Sequence, residues 1–184
     1  MVGNDIVDLS LAKVQSNWER KGFLEKQFTP SEIERILKST NPFFLVWLFW
    51  SMKEAAYKCF VQKEKVRFFN PKRLECSTTD FRSGRVQIDD TTLYTSSSFN
   101  SSYIHTIAIN SKNNKVKSKK ITITDSKKES KILKEAIVKN FPEKATLTKD
   151  TLGIPSLYCS RQQKLIPVSI SHHGSYGAYA ILEK

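Results

Sequence analysis

Trp50-Ser51-Met52-Lys53-Glu54-Ala55-Ala56-Tyr57-Lys58 is the stretch on which the reading of this chain turns. It belongs to a run that opens at Asn41-Pro42, a capping residue followed by a first-turn proline. The run predicts the longest helix of the chain, over about Phe43 to Gln62. Its first half is apolar nearly all round, which implies a central place in the fold. On a helix, Glu54 and Lys58 stand four residues apart and share a face. An acid and a base on one helical stripe, joined by a second carboxylate from a distant strand, can hold a divalent cation against a phosphate.

Upstream, Val2 to Leu9 alternates in polarity and predicts a first strand. Ser10 is expected to cap a helix running to about Phe28, with Leu11, Val14 and Trp18 inward. Thr29-Pro30-Ser31-Glu32 is a capping box with proline in the first turn. It starts a short helix on Ile33, Ile36 and Leu37 that ends near Ser39. Downstream of Asn70-Pro71 the texture turns β-like over Arg73–Ser77, Arg85–Ile88, Thr92–Tyr94, Tyr103–Asn110 and Lys120–Thr124. A Ser-rich turn is expected at Thr95 to Ser102 and a solvated basic loop at Ser111 to Lys120. Asp125 or Ser126 caps an amphipathic helix to about Asn140, which Pro142 ends. The strands Ala145–Lys149, Ser156–Tyr158, Val168–Ser171 and Tyr176–Leu182 close the chain. With no internal repeat and no low-complexity linker in view, the expectation is one α+β domain over residues 1–184, an antiparallel sheet packed on a long buried helix.

Bulk composition narrows the function classes. The 184 residues are 39% hydrophobic and 11% aromatic, enough for a sizeable core, which excludes a disordered chain. Lys and Arg total 30 against 18 acids, a net charge of +12 that favours polyanionic partners without selecting a fold. Cys59, Cys76 and Cys159 show no metal-type spacing and fit a reducing compartment. Asp5 and Asp8 interrupt any secretory signal. The apolar run Phe43–Trp50 is far short of the roughly twenty residues that cross a membrane. A cytoplasmic, membrane-free protein is expected.

Three islands, Gly3-Asn4-Asp5, Trp50 to Lys58, and Ser169-Ile170-Ser171-His172, taken in order, resemble the 4′-phosphopantetheinyl transferase superfamily, and more closely its small holo-acyl-carrier-protein-synthase type. Phe28-Thr29-Pro30-Ser31-Glu32 and Gly153-Ile154-Pro155 are weaker matches. Residues 77–150 look like an unmatched enlargement. Asp8, rather than Val7, carries the second N-terminal acid, as in the small type, while Pro167 stands where that type has a histidine. The resemblance implies Mg2+-dependent transfer of 4′-phosphopantetheine from coenzyme A to a serine of an acidic acyl or peptidyl carrier protein. It implies Asp5 and Glu54 as metal ligands, Glu54 and Lys58 as catalytic groups, and Lys58, Ser171 and His172 as coenzyme contacts. Asp8 takes a supporting role, and a homotrimer would let His172 serve a neighbour's Asp5 and Glu54.

Each residue also has a plainer reading. Asp5 could close a strand, Glu54 could pair with Lys53 or Lys58, Asp8 could cap a helix, and Lys58 could be a solvated helix-end lysine. His173 is expected at the surface, His105 in a sheet, and Trp47 and Trp50 in the core. Two further functions compete: a catalytically degenerate relative that binds carrier proteins, and a basic nucleic-acid-binding domain. No nucleic-acid signature accompanies the charge, so nucleic acid is not expected as a partner.

Overall fold

The computed structural model describes residues 1–141, 145–160 and 163–183. The expected end of the last helix at Pro142 lies outside them. Asn41 Oδ1 accepts from Phe44 N–H and Pro42 follows, so the long helix starts where the cap chemistry places it, as α4 (Pro42–Glu64). One flank of α4 is buried against a sheet made of β1 (Val2–Asp8), β5 (Tyr103–Ile109), β4 (Thr91–Phe99), β3 (Ser83–Ile88) and β2 (Leu74–Thr78), antiparallel and in that order. Val46, Leu48, Phe49, Ala55, Ala56 and Cys59 fill the space between, as the all-round apolar sequence of α4 requires.

All seven residues of β1 are buried. One of its faces meets α4. The other meets a second five-stranded sheet, in the order β6 (Val116–Thr122), β10 (Tyr176–Leu182), β9 (Lys164–His173), β8 (Pro155–Cys159) and β7 (Ala145–Lys149). Helix α5 (Glu129–Lys139) covers this second sheet with Leu133 and Ile137, over a separate core of Leu157, Val168 and Tyr179.

The two sheets are one topology used twice. In each, the first strand lies beside the fifth and the covering helix falls between the first and second strands. The registers agree: Asp8 opposes Tyr103 as Thr122 opposes Tyr176, and Phe99 opposes Ile104 as His172 opposes Gly177. Leu9 N–H donates to Ser102 O, and Ile123 N–H donates to Ser175 O in the same way. The rings of Tyr103 and Tyr176, equivalent residues, meet with centroids 5.2 Å apart. A structural repeat is therefore present where none was expected from the sequence.

Three local expectations are also corrected. The helix expected from Ser10 to Phe28 is two short ones, α1 (Leu9–Gln15) and α2 (Phe23–Gln27). Between them Asn17 Oδ1 accepts from Glu19 N–H, and Gly22 takes φ +80, a left-handed conformation that ends any continuous helix. The Ser-rich stretch from Thr95 is strand through Phe99, because the Ser97 and Thr106 hydroxyls bond each other inside at 2.9 Å. Lys117, Lys119 and Lys120 sit on the edge strand β6 rather than only in a loop. The Thr29 capping box is formed as read, heading α3 (Pro30–Leu37).

Candidate active site

Gly3 sets the distance between β1 and α4. A Cβ there would lie 1.8 Å from Ala55 O and 2.7 Å from Cys59 N, so only glycine lets the strand approach the helix backbone this closely. Two residues on, Asp5 points to the same side and reaches the helix. Lys58 Nζ lies 3.1 Å from Asp5 Oδ1 and donates to Asn4 O at 3.0 Å. Glu54, one turn before Lys58 on the same stripe, is half-buried. Its carboxyl is held above the ordinary 4.5, first by burial, then by the negative charge of Asp5, with Lys58 pulling the other way. Glu54 and Asp5 thus lie within electrostatic reach of one another, with one lysine to share.

This is a site short of positive charge. Two carboxylates from different elements, unsupported by a third acid, thiol or imidazole, fit a hard divalent cation that keeps waters and takes its remaining ligands from a phosphate. Among the described residues no group of three or more His, Cys, Asp or Glu is placed to hold a metal by itself.

A cleft of about 260 Å³ opens beside Glu54 and Lys58. Tyr57 and Arg67 continue its first wall. Gly153-Ile154-Pro155 and Ser169 from the second lobe form the other. The Arg67 guanidinium donates to Leu152 O, pinning that loop in place. Arg67 and Tyr57 were not singled out in the sequence, because nothing local marks an arginine as facing a loop 85 residues away. A larger groove of about 620 Å³, lined by Trp50, Tyr57, Phe68 and Phe69, adjoins the cleft at Glu54 and Arg67.

The last island meets the first through Asn4, the middle residue of Gly3-Asn4-Asp5. Asn4 N–H donates to Ser169 Oγ at 2.8 Å, and Ser171 Oγ donates to Asn4 Oδ1 at 2.7 Å. Asp8 accepts from Ser10 and Leu11 N–H with one oxygen and from Ser175 N–H with the other, capping α1 and tying down the β9–β10 turn. His173, expected at the surface, is half-buried, and its Nδ1 accepts from Asp8 N–H at 2.9 Å. His172 projects from the opposite face of β9, where its Nδ1 is 3.5 Å from Glu129 Oε2. Asp5, Glu54 and Lys58 are therefore brought together, Ser171 and Asp8 support them from behind, and His172 faces elsewhere within this chain. Lys53 does not pair with Glu54. It is buried against Glu32 at 2.7 Å.

The model of a family described as the 4′-phosphopantetheinyl transferase superfamily matches residues 1–112. The match includes β2 to β5 and so runs past residue 77, where the enlargement was expected to begin. The fold is similar to that of holo-[acyl-carrier-protein] synthase from Helicobacter pylori in complex with coenzyme A, at 18% identity and TM-score 0.48, covering 60% of this chain and 100% of that one. It is also similar to holo-[acyl-carrier-protein] synthase from Thermotoga maritima, at 12% identity and TM-score 0.47, covering 84% and 80%. No curated protein matches the chain. The chain belongs to the 4′-phosphopantetheinyl transferase superfamily, and it is an enzyme of that transferase class.

Proposed function

We propose that this member of the superfamily transfers 4′-phosphopantetheine from coenzyme A to a serine of an acidic acyl or peptidyl carrier protein, with Mg2+. The observation that carries the reading is the convergence of Asp5 and Glu54, from two distant islands, beside Lys58 in an open cleft. Asp5 and Glu54 are the residues that would hold the cation. When bound, magnesium neutralises the diphosphate charge that builds as one P–O bond breaks.

The serine Oγ attacks the phosphorus bearing the pantetheine arm, a P–O ester forms, and 3′,5′-ADP leaves. Glu54, one turn from Lys58 at the cleft wall, is placed to take the serine proton. Lys58 is already positioned by Asn4 O and Asp5, so its remaining donor capacity is free to meet a phosphate oxygen. Ser171 acts through Asn4, donating to its side-chain Oδ1 while the main-chain O of the same residue receives Lys58. Arg67, exposed toward the cleft, adds a second cation for the coenzyme's phosphates. The chain's net +12 suits both polyanionic substrates. No helix among the described residues is long and apolar enough to cross a membrane.

His172 faces Glu129 within its own chain, so it would meet a coenzyme phosphate only in a trimer, beside the Asp5–Glu54 pair of a neighbour. Against that, the second lobe already walls the cleft from within the same chain, which favours a site complete in a single copy. Sedimentation of the active enzyme separates the two.

The direct test incubates the protein with coenzyme A, Mg2+ and apo carrier protein, then weighs the carrier. Gain of one phosphopantetheine mass, abolished in a folded Glu54→Ala variant, is the expected outcome. No gain on any acyl or peptidyl carrier refutes the transfer. Carrier binding without gain marks a relative that has lost turnover.

A further inference from the structure

The turn between β7 and β8, Asp150-Thr151-Leu152-Gly153-Ile154, belongs to the second lobe yet reaches the first lobe's site. Four hydrogen bonds that shape it run through Asp150. Its Oδ1 accepts from Leu152 N–H at 3.0 Å and from Ile154 N–H at 2.9 Å. On the main chain, Gly153 N–H donates to Asp150 O at 2.8 Å, and Asp150 N–H donates to Ile154 O at 3.1 Å. The carboxyl is held below the usual carboxylate range, first by the Ile154 N–H and then by Lys65, whose Nζ stands 3.0 Å from Oδ2. Gly153 takes φ +73, the left-handed conformation that glycine adopts without steric cost.

So folded, the turn presents the Leu152 carbonyl to the first lobe, and the Arg67 guanidinium donates to it. Gly153 leaves room for that approach, since a Cβ there would stand 3.3 Å from Arg67 Nη2. The bond that pins the turn also pins the arginine. Arg67 is exposed, on a stretch without regular secondary structure just past the end of α4. A free arginine in such a place loses much rotamer freedom when it grips an anion. A fixed acceptor removes part of that loss before the ligand arrives. Arg67 also stands where the cleft meets the larger groove, so its direction decides which of the two receives its remaining N–H donors. The carbonyl that holds it lies beside Gly153 and Ile154, which wall the cleft.

We propose that Asp150 is a positioning residue for coenzyme binding: through the β7–β8 turn it holds the Leu152 carbonyl that orients Arg67 toward phosphates in the cleft. The second lobe thereby serves the first lobe's site through a residue that does not touch the substrate. This rests on the reading of the cleft as the coenzyme site.

Electrostatics gives the test its sign. Asp150 is an acid near an anion site, so loss of its charge alone would strengthen coenzyme binding. Loss of the turn does the opposite. Coenzyme A is titrated calorimetrically into the full chain with Mg2+, and kcat and KM are measured on an apo carrier protein. Asp150→Ala is expected to weaken coenzyme binding and raise its KM about tenfold, with kcat and the carrier's KM unchanged. Asp150→Asn keeps the Oδ1 acceptor without the charge and is expected to bind at least as tightly as wild type. Asp150→Glu keeps the charge but moves the acceptor out of the turn, and is expected to lose as much as Asp150→Ala. Adding Asp150→Ala to Arg67→Ala is expected to cost nothing further, because both remove the same contact.

The inference is overturned if Asp150→Ala binds coenzyme A as tightly as wild type, if Asp150→Asn weakens binding while Asp150→Glu keeps it, or if the losses multiply in the double variant. No coenzyme binding by wild type refutes the reading of the cleft together with the inference. Wild-type binding that the Asp150 variants leave unchanged refutes the inference alone. Asp150 is exposed, and melting curves confirm folding. Should Asp150→Ala melt early, the opposed outcomes for Asp150→Asn and Asp150→Glu still decide.

Discussion

Replacing Lys53 by Met is expected to damage the fold rather than the chemistry, although Lys53 lies next to Glu54 in the motif. The Lys53 and Glu32 side chains are 5% and 0% exposed, and Lys53 Nζ approaches Glu32 Oε2 to 2.7 Å. Lys53 also donates to Gln27 O and Pro71 O, both at 3.0 Å, tying α4 to the segments on either side of it. Glu32 in turn accepts from Thr29 N–H at 2.8 Å and Cys76 N–H at 2.7 Å. Met preserves the length and apolar stem but leaves a buried carboxylate with no countercharge. Removing one partner of such a pair costs about 3–5 kcal/mol. In a chain of this size each kcal/mol moves the midpoint by roughly 2–4 °C, so Tm should fall by about 6–20 °C. Thermal melts followed by near-ultraviolet circular dichroism would measure it, with urea titration giving the free energy. A double-mutant cycle with Glu32→Gln should show coupling of at least ~1 kcal/mol. A Lys53→Met protein within about 1 kcal/mol of wild type, additive with Glu32→Gln, would refute this reasoning.

Three further outcomes are expected. Glu54→Gln should abolish carrier modification yet stabilise the metal-free protein at neutral pH by about 0.5–2 kcal/mol. Because the folded carboxyl titrates above 4.5, the native state keeps a proton that the unfolded chain has released. Stability of wild type therefore falls as pH rises through that window, and urea titrations of the variant should lack the fall. A variant less stable than wild type at neutral pH would contradict the assignment. His105 is pushed down to about 4, first by burial and then by the charges of Lys120 and Lys58. Wild type should lose about 3 kcal/mol as pH falls from 6.5 toward 4. His105→Gln should flatten that loss, and an unchanged slope would remove His105 as its source. Gly3→Ala forces α4 off β1 by the contacts given above, so transfer should drop about 100-fold from the displaced Lys58 and Glu54. A fully active Gly3→Ala enzyme would show that the close approach is dispensable.

What was legible in the sequence was local chemistry with one solution. Asn41-Pro42 and Thr29-x-x-Glu32 place helix starts because the orphan N–H groups of a first turn accept few partners. Glu54 and Lys58 were legible as a pair from their four-residue helical spacing, whereas Asp5 joined them only through the resemblance of the three islands to the family. What was not legible depended on contacts between segments far apart. The apolar spacing of Leu11, Val14 and Trp18 suggested a continuing helix, yet Val14 is 80% exposed and the helix stops at Gln15. Ser96 to Ser98 look like turn residues until Thr106 on the paired strand gives Ser97 a partner. Lys53 found Glu32, a residue no helical periodicity connects to it. His172 and His173 are adjacent, and only the packing of β9 on β1 decides that His173 takes the Asp8 N–H.

The duplication escaped the sequence for a related reason. A repeat announces itself through a fixed period, and here the period is broken by what each lobe needs. The first lobe inserts α1, α2 and α3 between its first strand and its helix, and its helix runs 23 residues against 11 for α5. Only the hexapeptide Lys134-Glu135-Ala136-Ile137-Val138-Lys139 of α5 keeps the Lys-Glu-Ala-x-x-Lys order of Lys53 to Lys58, while the strands keep register instead of residue type. The two lobes share a scaffold yet differ at matched positions: where the first has Asp5 meeting Lys58, the second has Lys119 donating to Asn140 Oδ1.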